Sequence, residues 1–175
     1  MKKLLLPALV LAVLLYACNS NHAPLPTVPE LDVQQYAGTW YEIARLPNRF
    51  EKGLECVTAT YTVLPNGKIE VRNKGHKTEN PSDTEEVKGK AHVPDPQHPG
   101  RLKVTFFWPF SGDYWILDLA PDYSYSLVGE PSRENLWILS RTPEMDEATY
   151  TRLLEKAKAQ GFPVEQVQKI KQDCR

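Results

Sequence analysis

The chain has 175 residues, with 21 Lys and Arg against 22 Asp and Glu. Residues 1–17 hold two lysines and no acidic residue, so the remainder carries 19 basic and 22 acidic side chains, a net charge near −3. This balance argues against a nucleic-acid-binding protein, because neutralising phosphates requires a basic surface. Beyond residue 30 the length suits one domain of about 145 residues with a single core.

The N-terminus has the pattern of a secretory signal. Lys2-Lys3 precedes an apolar run, residues 4–15, that is too short to span a bilayer as a helix. The following Leu15-Tyr16-Ala17-Cys18 resembles a bacterial lipobox, in which the chain is cut before Cys and the thiol receives diacylglycerol. An ordinary secretory signal with an incidental cysteine is the alternative. We expect residues 1–17 to be a cleaved lipoprotein signal peptide and Cys18 to be a lipid anchor.

The next stretch, residues 18–30, is polar and contains Pro24, Pro26 and Pro29. This composition predicts an extended tether that reaches about 3 Å per residue. Because Asn19 rather than Asp follows Cys18, the lipobox resemblance implies sorting to the outer membrane, with the anchored protein facing the periplasm. Residues 31–175 are then the folded domain.

Short runs of alternating apolar and polar residues, separated by turn residues, fill residues 39–141. Their spacing predicts an antiparallel sandwich or barrel rather than a parallel sheet with crossover helices. Eight strands make a barrel wide enough for one small ligand. The predicted strands are Thr39–Leu46, Glu55–Leu64, Lys68–Gly75, Glu85–Val93, Leu102–Trp108, Tyr114–Leu119, Tyr125–Gly129 and Leu136–Arg141.

One amphipathic helix follows the strands. Asp146 is a suitable N-cap and Gly161 a suitable stop, and Tyr150, Leu153, Leu154 and Ala157 form one apolar stripe between them. That stripe has to lie on the outside of the sheet. The predicted fold is therefore mainly β: an eight-stranded up-and-down antiparallel β-barrel with one C-terminal α-helix packed on the outside.

In such a barrel the first strand begins at the end where the eighth strand finishes. Trp40 of Gly38-Thr39-Trp40-Tyr41 therefore lies beside Arg141, and a guanidinium over an indole gives a cation–π contact. Gly38 allows close approach of the backbone, and the turn that contains Asp122 lies at the same end. We expect Gly38, Trp40, Asp122 and Arg141 to close and brace this end.

These motifs, in this order, resemble those of the lipocalin family, although Pro121 of Pro121-Asp122-Tyr123 stands where the family has Thr. The longer strings at 38–45 and 136–143 look like the bacterial outer-membrane lipocalins and their relative apolipoprotein D. The resemblance covers the chain after the tether. It implies a cup for small hydrophobic ligands, fatty acids or lysophospholipids, stored or transported for membrane maintenance or stress response. It also allows a homodimer.

Two cysteines remain once Cys18 carries lipid. Cys56 and Cys174 then form an even pair in an oxidising compartment, where a disulfide is the default. Cys56 falls on the outward face of its predicted strand, within reach of a C-terminal tail that wraps around the barrel. The resemblance places this pair closer to the animal branch of the family.

The open end of the barrel would be built from residues 47–53, 76–83, 108–113 and 130–135. The inward-facing residues are largely apolar with a few polar groups, which suits an acyl chain with a polar head near the rim. Packing within the barrel is the alternative role for each of them. The candidate ligand-binding residues are Glu42, Val57, Ala59, Tyr61, Ile69, Val71, Asn73, Phe106, Trp108, Trp115 and Leu117.

Two further features lie near this rim. Arg45, Arg49 and Lys52 either neutralise a phosphate or carboxylate head or are solvated loop charges. The aromatic run 106–110 is a ligand mouth, a dimer surface or a membrane contact.

The sequence contains no Gly-x-Ser-x-Gly, no His-Glu-x-x-His and no phosphate-binding Gly-rich loop. The four histidines lack metal-ligand spacing. We therefore predict a binding protein with no catalytic residue, metal or cofactor. A structural lipoprotein and a lipocalin-fold enzyme are the alternatives.

Overall fold

The computed structural model describes residues 23–174. Within them, eight strands pair antiparallel in chain order, and the first strand pairs with both the eighth and the second. The sheet therefore closes into the predicted eight-stranded barrel. Its strands are β1 (Gly38–Arg45), β2 (Leu54–Val63), β3 (Ile69–Lys77), β4 (Thr84–His92), β5 (Arg101–Phe107), β6 (Phe110–Leu119), β7 (Tyr125–Gly129) and β8 (Leu136–Ser140).

Four shorter or later elements complete the described part of the chain: α1 (Val33–Tyr36), α2 (Glu147–Ala159), a 3-10 turn (Val164–Gln166) and β9 (Gln168–Lys169). The predicted helix is α2, which begins after Asp146 as expected. Asp146 accepts a hydrogen bond from the Thr149 amide at 2.8 Å. No helix within residues 23–174 is long and apolar enough to cross a membrane.

Two apolar clusters lie on opposite faces of the barrel wall. One lines the barrel interior and the other lies between the outer wall and α2. The interior cluster contains Tyr36, Trp40, Tyr61, Ile69, Val71, Ala91, Leu102, Val104, Ile116, Val128 and Leu139. The outer cluster contains Leu25, Ile43, Ala44, Leu46, Leu117, Leu127, Leu136, Ile138, Tyr150, Leu153, Ala157 and Phe162.

Polar contacts hold α2 on the barrel in addition to its apolar stripe. Arg152 and Lys156 contact the Asp118 carboxylate on β6 at 3.0 and 3.2 Å. Leu153 is fully buried beneath them. The helix therefore covers the apolar outer face of the neighbouring strands and contributes no residue to the interior cluster.

Part of the predicted tether packs against the barrel. Leu25 is buried in the outer cluster, and the Val28 amide donates to the Ile116 carbonyl at 2.9 Å. Arg133 donates to the Ala23 carbonyl at 2.6 Å. The packed chain thus begins before the predicted boundary at residue 31, because Leu25 provides an apolar contact for the outer wall. The predicted signal peptide and Cys18 lie outside the described residues.

The predicted disulfide between Cys56 and Cys174 is present, with the two Cα atoms 6.0 Å apart. It lies outside the barrel, where the C-terminal tail crosses β1 and β2. The Gln172 amide donates to the Glu42 and Val57 carbonyls at 2.7 and 3.0 Å. The tail is therefore fixed by main-chain contacts as well as by the covalent bond.

Candidate functional site

One end of the barrel is sealed by Arg141. Its guanidinium lies over the Trp40 ring, 3.8 Å from the centroid, as predicted. The guanidinium also donates to the carbonyls of Gln35 at 2.7 Å, Thr39 at 3.0 Å and Tyr36 at 3.1 Å. Trp40 itself is fully buried and donates its indole N–H to the Tyr36 carbonyl at 2.9 Å. One side chain thus joins the end of β8 to α1 and to the start of β1.

The other two residues predicted for this end shape the backbone. Gly38 has φ +97°, and a Cβ there would lie 3.2 Å from the Arg141 guanidinium. The Asp122 carboxylate accepts from the Ser124 amide at 3.1 Å in the β6–β7 turn. That turn presents the Tyr123 carbonyl to Arg141 at 3.3 Å. All four predicted residues are therefore at the closed end, where α1 covers the opening.

A chain of hydroxyl groups lines the barrel floor beneath α1. Tyr61 donates to Tyr114 at 2.8 Å, and the Tyr36 hydroxyl lies 2.8 Å from that of Tyr114 and 3.2 Å from that of Ser126. Burial raises the pKa of Tyr36 to about 12 and the pKa values of Tyr61 and Tyr114 well above their usual range. The floor therefore consists of neutral, mutually satisfied phenols.

A β-bulge in β1 brings an ion pair into the barrel. The register against β8 shifts between Glu42 and Ala44, so that Ile43 and Ala44 both pack in the outer cluster. Glu42 and Arg45 consequently both face inward, where they are 3% and 5% exposed and form a salt bridge. Arg45 is thus neither a rim charge free to neutralise a ligand head nor a solvated loop charge, the two roles expected from the sequence.

The same arginine fixes the β1–β2 loop at the barrel mouth. It donates to the Glu51 and Leu54 carbonyls at 2.7 and 3.0 Å. The Glu51 carboxylate accepts from the Trp137 indole at 3.0 Å and from the Asn48 amide at 2.6 Å. The Glu51 carboxyl therefore lies next to that of Glu42, whereas Arg45 pairs with the Glu42 carboxylate and contacts only the backbone of Glu51.

This arrangement perturbs the Glu42 carboxyl. Burial raises its pKa well above the usual range, and the nearby Glu51 charge raises it further. The Arg45 charge and hydrogen bond act in the opposite direction. Burial and a second nearby carboxylate both disfavour the ionised form of Glu42, whereas a neighbouring guanidinium favours it.

Most predicted ligand-binding residues line the interior. Tyr61, Ile69, Val71, Ala59 and Phe106 belong to or pack against the interior cluster. Val57 is buried on the same face, since a Cβ at the inward-facing Gly75 would lie 3.1 Å from its side chain. Phe106 covers Gly89, where a Cβ would lie 2.7 Å from its ring. These residues form a continuous apolar wall.

Asn73 is the polar exception on the inward face of β3. It is opposite Ala59 on β2 and Val87 on β4. Its buried side-chain oxygen accepts no hydrogen bond from any residue of the described chain. A buried acceptor without a donor is costly, so this position suits a hydrogen-bonding group of a ligand.

The prediction that Trp115 and Leu117 face the interior is wrong. Leu117 belongs to the outer cluster, and Trp115 packs against it and under the guanidinium of Arg101 at 4.5 Å. The residues of β6 that face inward are Tyr114 and Ile116. The alternation of apolar residues could not show which face of β6 points inward, because both faces are apolar. One lines the barrel and the other lies against the outer cluster.

The placement of Trp108 among the interior residues is also wrong. It is 88% exposed at the tip of the β5–β6 hairpin, just beyond the end of β5 at Phe107. The hairpin extends past the barrel rim, so the side chain projects away from the barrel interior. Its neighbours Phe107 and Phe110 are similarly exposed.

Several interior polar groups were missed from sequence. Tyr36 lies in a short helix that the alternation pattern does not reveal, and Glu51 lies in a loop. Tyr114 and Ser126 were assigned to strands without a role. A bulge places two strand residues that are three positions apart on the same face. The Glu42–Arg45 pair could have been predicted from this spacing.

Known proteins that are similar in sequence to this chain belong to one family. The lipocalin-like domain family matches residues 31–172. The outer membrane lipoprotein Blc of Citrobacter freundii is 41% identical over 169 residues, which cover 94% of each chain. Apolipoprotein D of Bos taurus is 35% identical over 161 residues, which cover 86% of this chain and 82% of that protein.

Among solved structures, insecticyanin from the tobacco hornworm Manduca sexta superposes with a TM-score of 0.68 over 85% of each chain. Its sequence is 20% identical, so this likeness bears on the fold alone. The family match and the identity to the curated relatives extend over most of the chain. The protein therefore belongs to the lipocalin family.

Proposed function

We propose that the barrel binds one small amphipathic lipid, a fatty acid or a lysophospholipid, and stores or transports it for membrane maintenance or stress response. The observation that supports this proposal is an apolar inner wall between a sealed end and a mouth that carries buried polar groups. An acyl chain matches the wall, and a polar head matches the groups near the mouth. In this proposal the protein acts as a binder rather than an enzyme.

The polar groups of the interior have complementary roles toward such a ligand. Asn73 offers a buried acceptor, and Glu42, paired with Arg45, adds a second polar group on the inward face. A hydroxyl of a lipid head can donate a hydrogen bond to the Asn73 side-chain oxygen. The candidate contact residues are Glu42, Val57, Ala59, Tyr61, Ile69, Val71, Asn73 and Phe106.

Native mass spectrometry of the purified Cys18→Ser protein tests the proposal. Titration with lysophosphatidylethanolamine and, separately, with oleic acid is expected to give a one-to-one adduct with at least one of them at micromolar concentration. An adduct that a soluble short-chain acid of the same charge does not form would identify the acyl chain as the recognised part. The absence of any adduct would refute ligand binding and favour a structural lipoprotein.

We further propose that Cys18 carries diacylglycerol and attaches the protein to the outer membrane, facing the periplasm. The lipobox-like Leu15-Tyr16-Ala17-Cys18 and the similarity to outer membrane lipoproteins support this. Mass spectrometry of the membrane-purified protein would detect a lipid on Cys18 and a chain that lacks residues 1–17. A chain that lacks residues 1–17 but carries no lipid on Cys18 would contradict the anchor.

A further inference from the structure

Three large aromatic side chains project from the β5–β6 hairpin. Phe107, Trp108 and Phe110 are 70%, 88% and 79% exposed, and we call them the aromatic tip. Phe50, in the β1–β2 loop, is also 65% exposed. In an up-and-down barrel these two connections lie at the same end, opposite Trp40 and Arg141. The mouth of the cup is therefore bordered by apolar surface, which in a soluble domain marks an interaction site.

The described chain begins at this same end. Arg133, in the β7–β8 connection, is 7% exposed and donates to the Ala23 carbonyl at 2.6 Å. From there the chain runs down the outer wall, past Ile116 at Val28, to α1 at the closed end. Cys18 precedes Ala23 by five residues, a span of about 18 Å at most when fully extended.

We propose that the aromatic tip inserts into the bilayer that holds the Cys18 lipid, so that the barrel mouth faces the membrane. The proposal rests on the lipidation of Cys18 proposed above. A lipid on Cys18 keeps Ala23, and with it the mouth, close to the bilayer surface. Trp and Phe side chains partition favourably into the interfacial region of a bilayer. The tip thus supplies a second attachment, and two attachments fix an orientation that one tether cannot.

Apolar contact rather than charge makes this attachment. Arg49 and Lys52 flank Phe50 in the β1–β2 loop, but Glu79 and Asp83 lie in the β3–β4 connection at the same end. The mixed charges give little net attraction to anionic headgroups. Membrane docking by the tip is consequently expected to resist high salt. A ligand could then pass between bilayer and cup without crossing bulk water.

Quenching of tryptophan fluorescence by brominated lipid tests the proposal. Lipidated protein, with the lipid verified by mass, is reconstituted in vesicles of phosphatidylethanolamine and phosphatidylglycerol, with or without phosphatidylcholine brominated on its acyl chains. Bromine quenches only an indole that contacts the acyl region. Trp40 is fully buried, whereas Trp108 is exposed at the tip. We expect clear quenching of the wild type at low and at high salt.

Variants identify which tryptophan gives the quenching. Trp108→Phe is expected to abolish the quenching, and the matched control Trp115→Phe, whose indole lies on the outer wall, is expected to retain it. A double Phe107→Ser and Phe110→Ser variant should float with the vesicles yet lose the quenching of Trp108. Equal quenching of the wild type and Trp108→Phe would overturn the proposal.

Other outcomes distinguish failure of membrane docking from failure of the lipid anchor. A wild type that floats without quenching would overturn docking and leave the anchor intact. A mass without lipid on Cys18 would overturn both, while the ligand titration of the Cys18→Ser protein remains independent of either. Unquenched Trp108 together with a dimer that Trp108→Ala dissociates in sedimentation would assign the tip to a second copy of this chain and overturn insertion into lipid.

Discussion

Arg141 lies over the ring of Trp40 at 3.8 Å and at the same time donates to four backbone carbonyls from three segments of the chain. The contact joins α1, the start of β1 and the β6–β7 turn at the closed end. It lies opposite the mouth, so the family signature braces the closed end of the barrel.

Arg141→Met is therefore expected to lower the free energy of unfolding by about 2–3 kcal/mol, because several carbonyls lose their donor. The affinity for an acyl ligand should change little. Urea unfolding and a ligand titration measure the two quantities. Arg72→Met, on the exposed face of β3, is the control and should leave both near wild type. Unchanged stability with altered ligand affinity would contradict the bracing role.

Gly38→Ala should destabilise the same end by about 1–3 kcal/mol. The residue has φ +97°, where an L side chain is strained, and the new Cβ would approach the Arg141 guanidinium. Gly112→Ala is a matched control, because φ there is not positive and a Cβ would meet nothing within 4 Å. Thermal unfolding that is equally affected in the two variants would refute the explanation.

The free energy of unfolding should depend on pH through the ionisation of Glu42. Its pKa is raised in the folded state, so the folded protein holds this proton to higher pH than the unfolded chain does. The contribution of Glu42 to the free energy of unfolding is fully present below its ordinary pKa of 4.5. It declines as the pH rises toward the raised pKa of the folded state. The groups that face it are Arg45, Glu51 and Tyr61.

Urea unfolding across pH of the wild type and Glu42→Gln isolates this contribution. The wild-type stability minus that of the variant should be flat at low pH and fall as the pH rises above about 4.5. Glu79→Gln, an exposed carboxyl of the β3–β4 connection, serves as the control. A difference curve that rises with pH would show that pairing with Arg45 outweighs burial.

Removing the disulfide should cost up to about 4–5 kcal/mol, since it closes a loop with a sequence separation of 118 residues. The variant pairs Cys56→Ala with Cys174→Ala in a Cys18→Ser background, where no other thiol interferes. Ligand binding should persist, because the bond lies outside the barrel. Equal urea midpoints with and without the pair would indicate that the Gln172 contacts alone hold the tail.

The barrel and its closed end could be predicted from sequence because each depends on a local or topological rule. Period-two alternation with regular turns defined the strands, and the parity of an up-and-down barrel placed Trp40 beside Arg141. The disulfide followed from an even pair of cysteines once Cys18 was assigned to lipid. None of these required knowledge of a tertiary contact.

The inner wall was predicted less completely, for two physical reasons. Trp115 and Leu117 alternate as cleanly as Tyr114 and Ile116, and only the packing of the outer cluster shows which pair faces outward. The bulge after Glu42 inverts the alternation and turns Arg45 inward. Alternation cannot reveal either a second apolar layer or a change of register.

Calorimetric titration of two phenylalanine variants of β2 with lysophosphatidylethanolamine or oleic acid tests the central claim most directly. Ala59 faces the interior beside Asn73, and Thr62 faces solvent on the same strand. We expect Ala59→Phe to fill the cavity and weaken binding by at least about tenfold, or 1.4 kcal/mol, while Thr62→Phe binds as the wild type does. Equal binding by both variants would contradict an acyl ligand held inside the barrel.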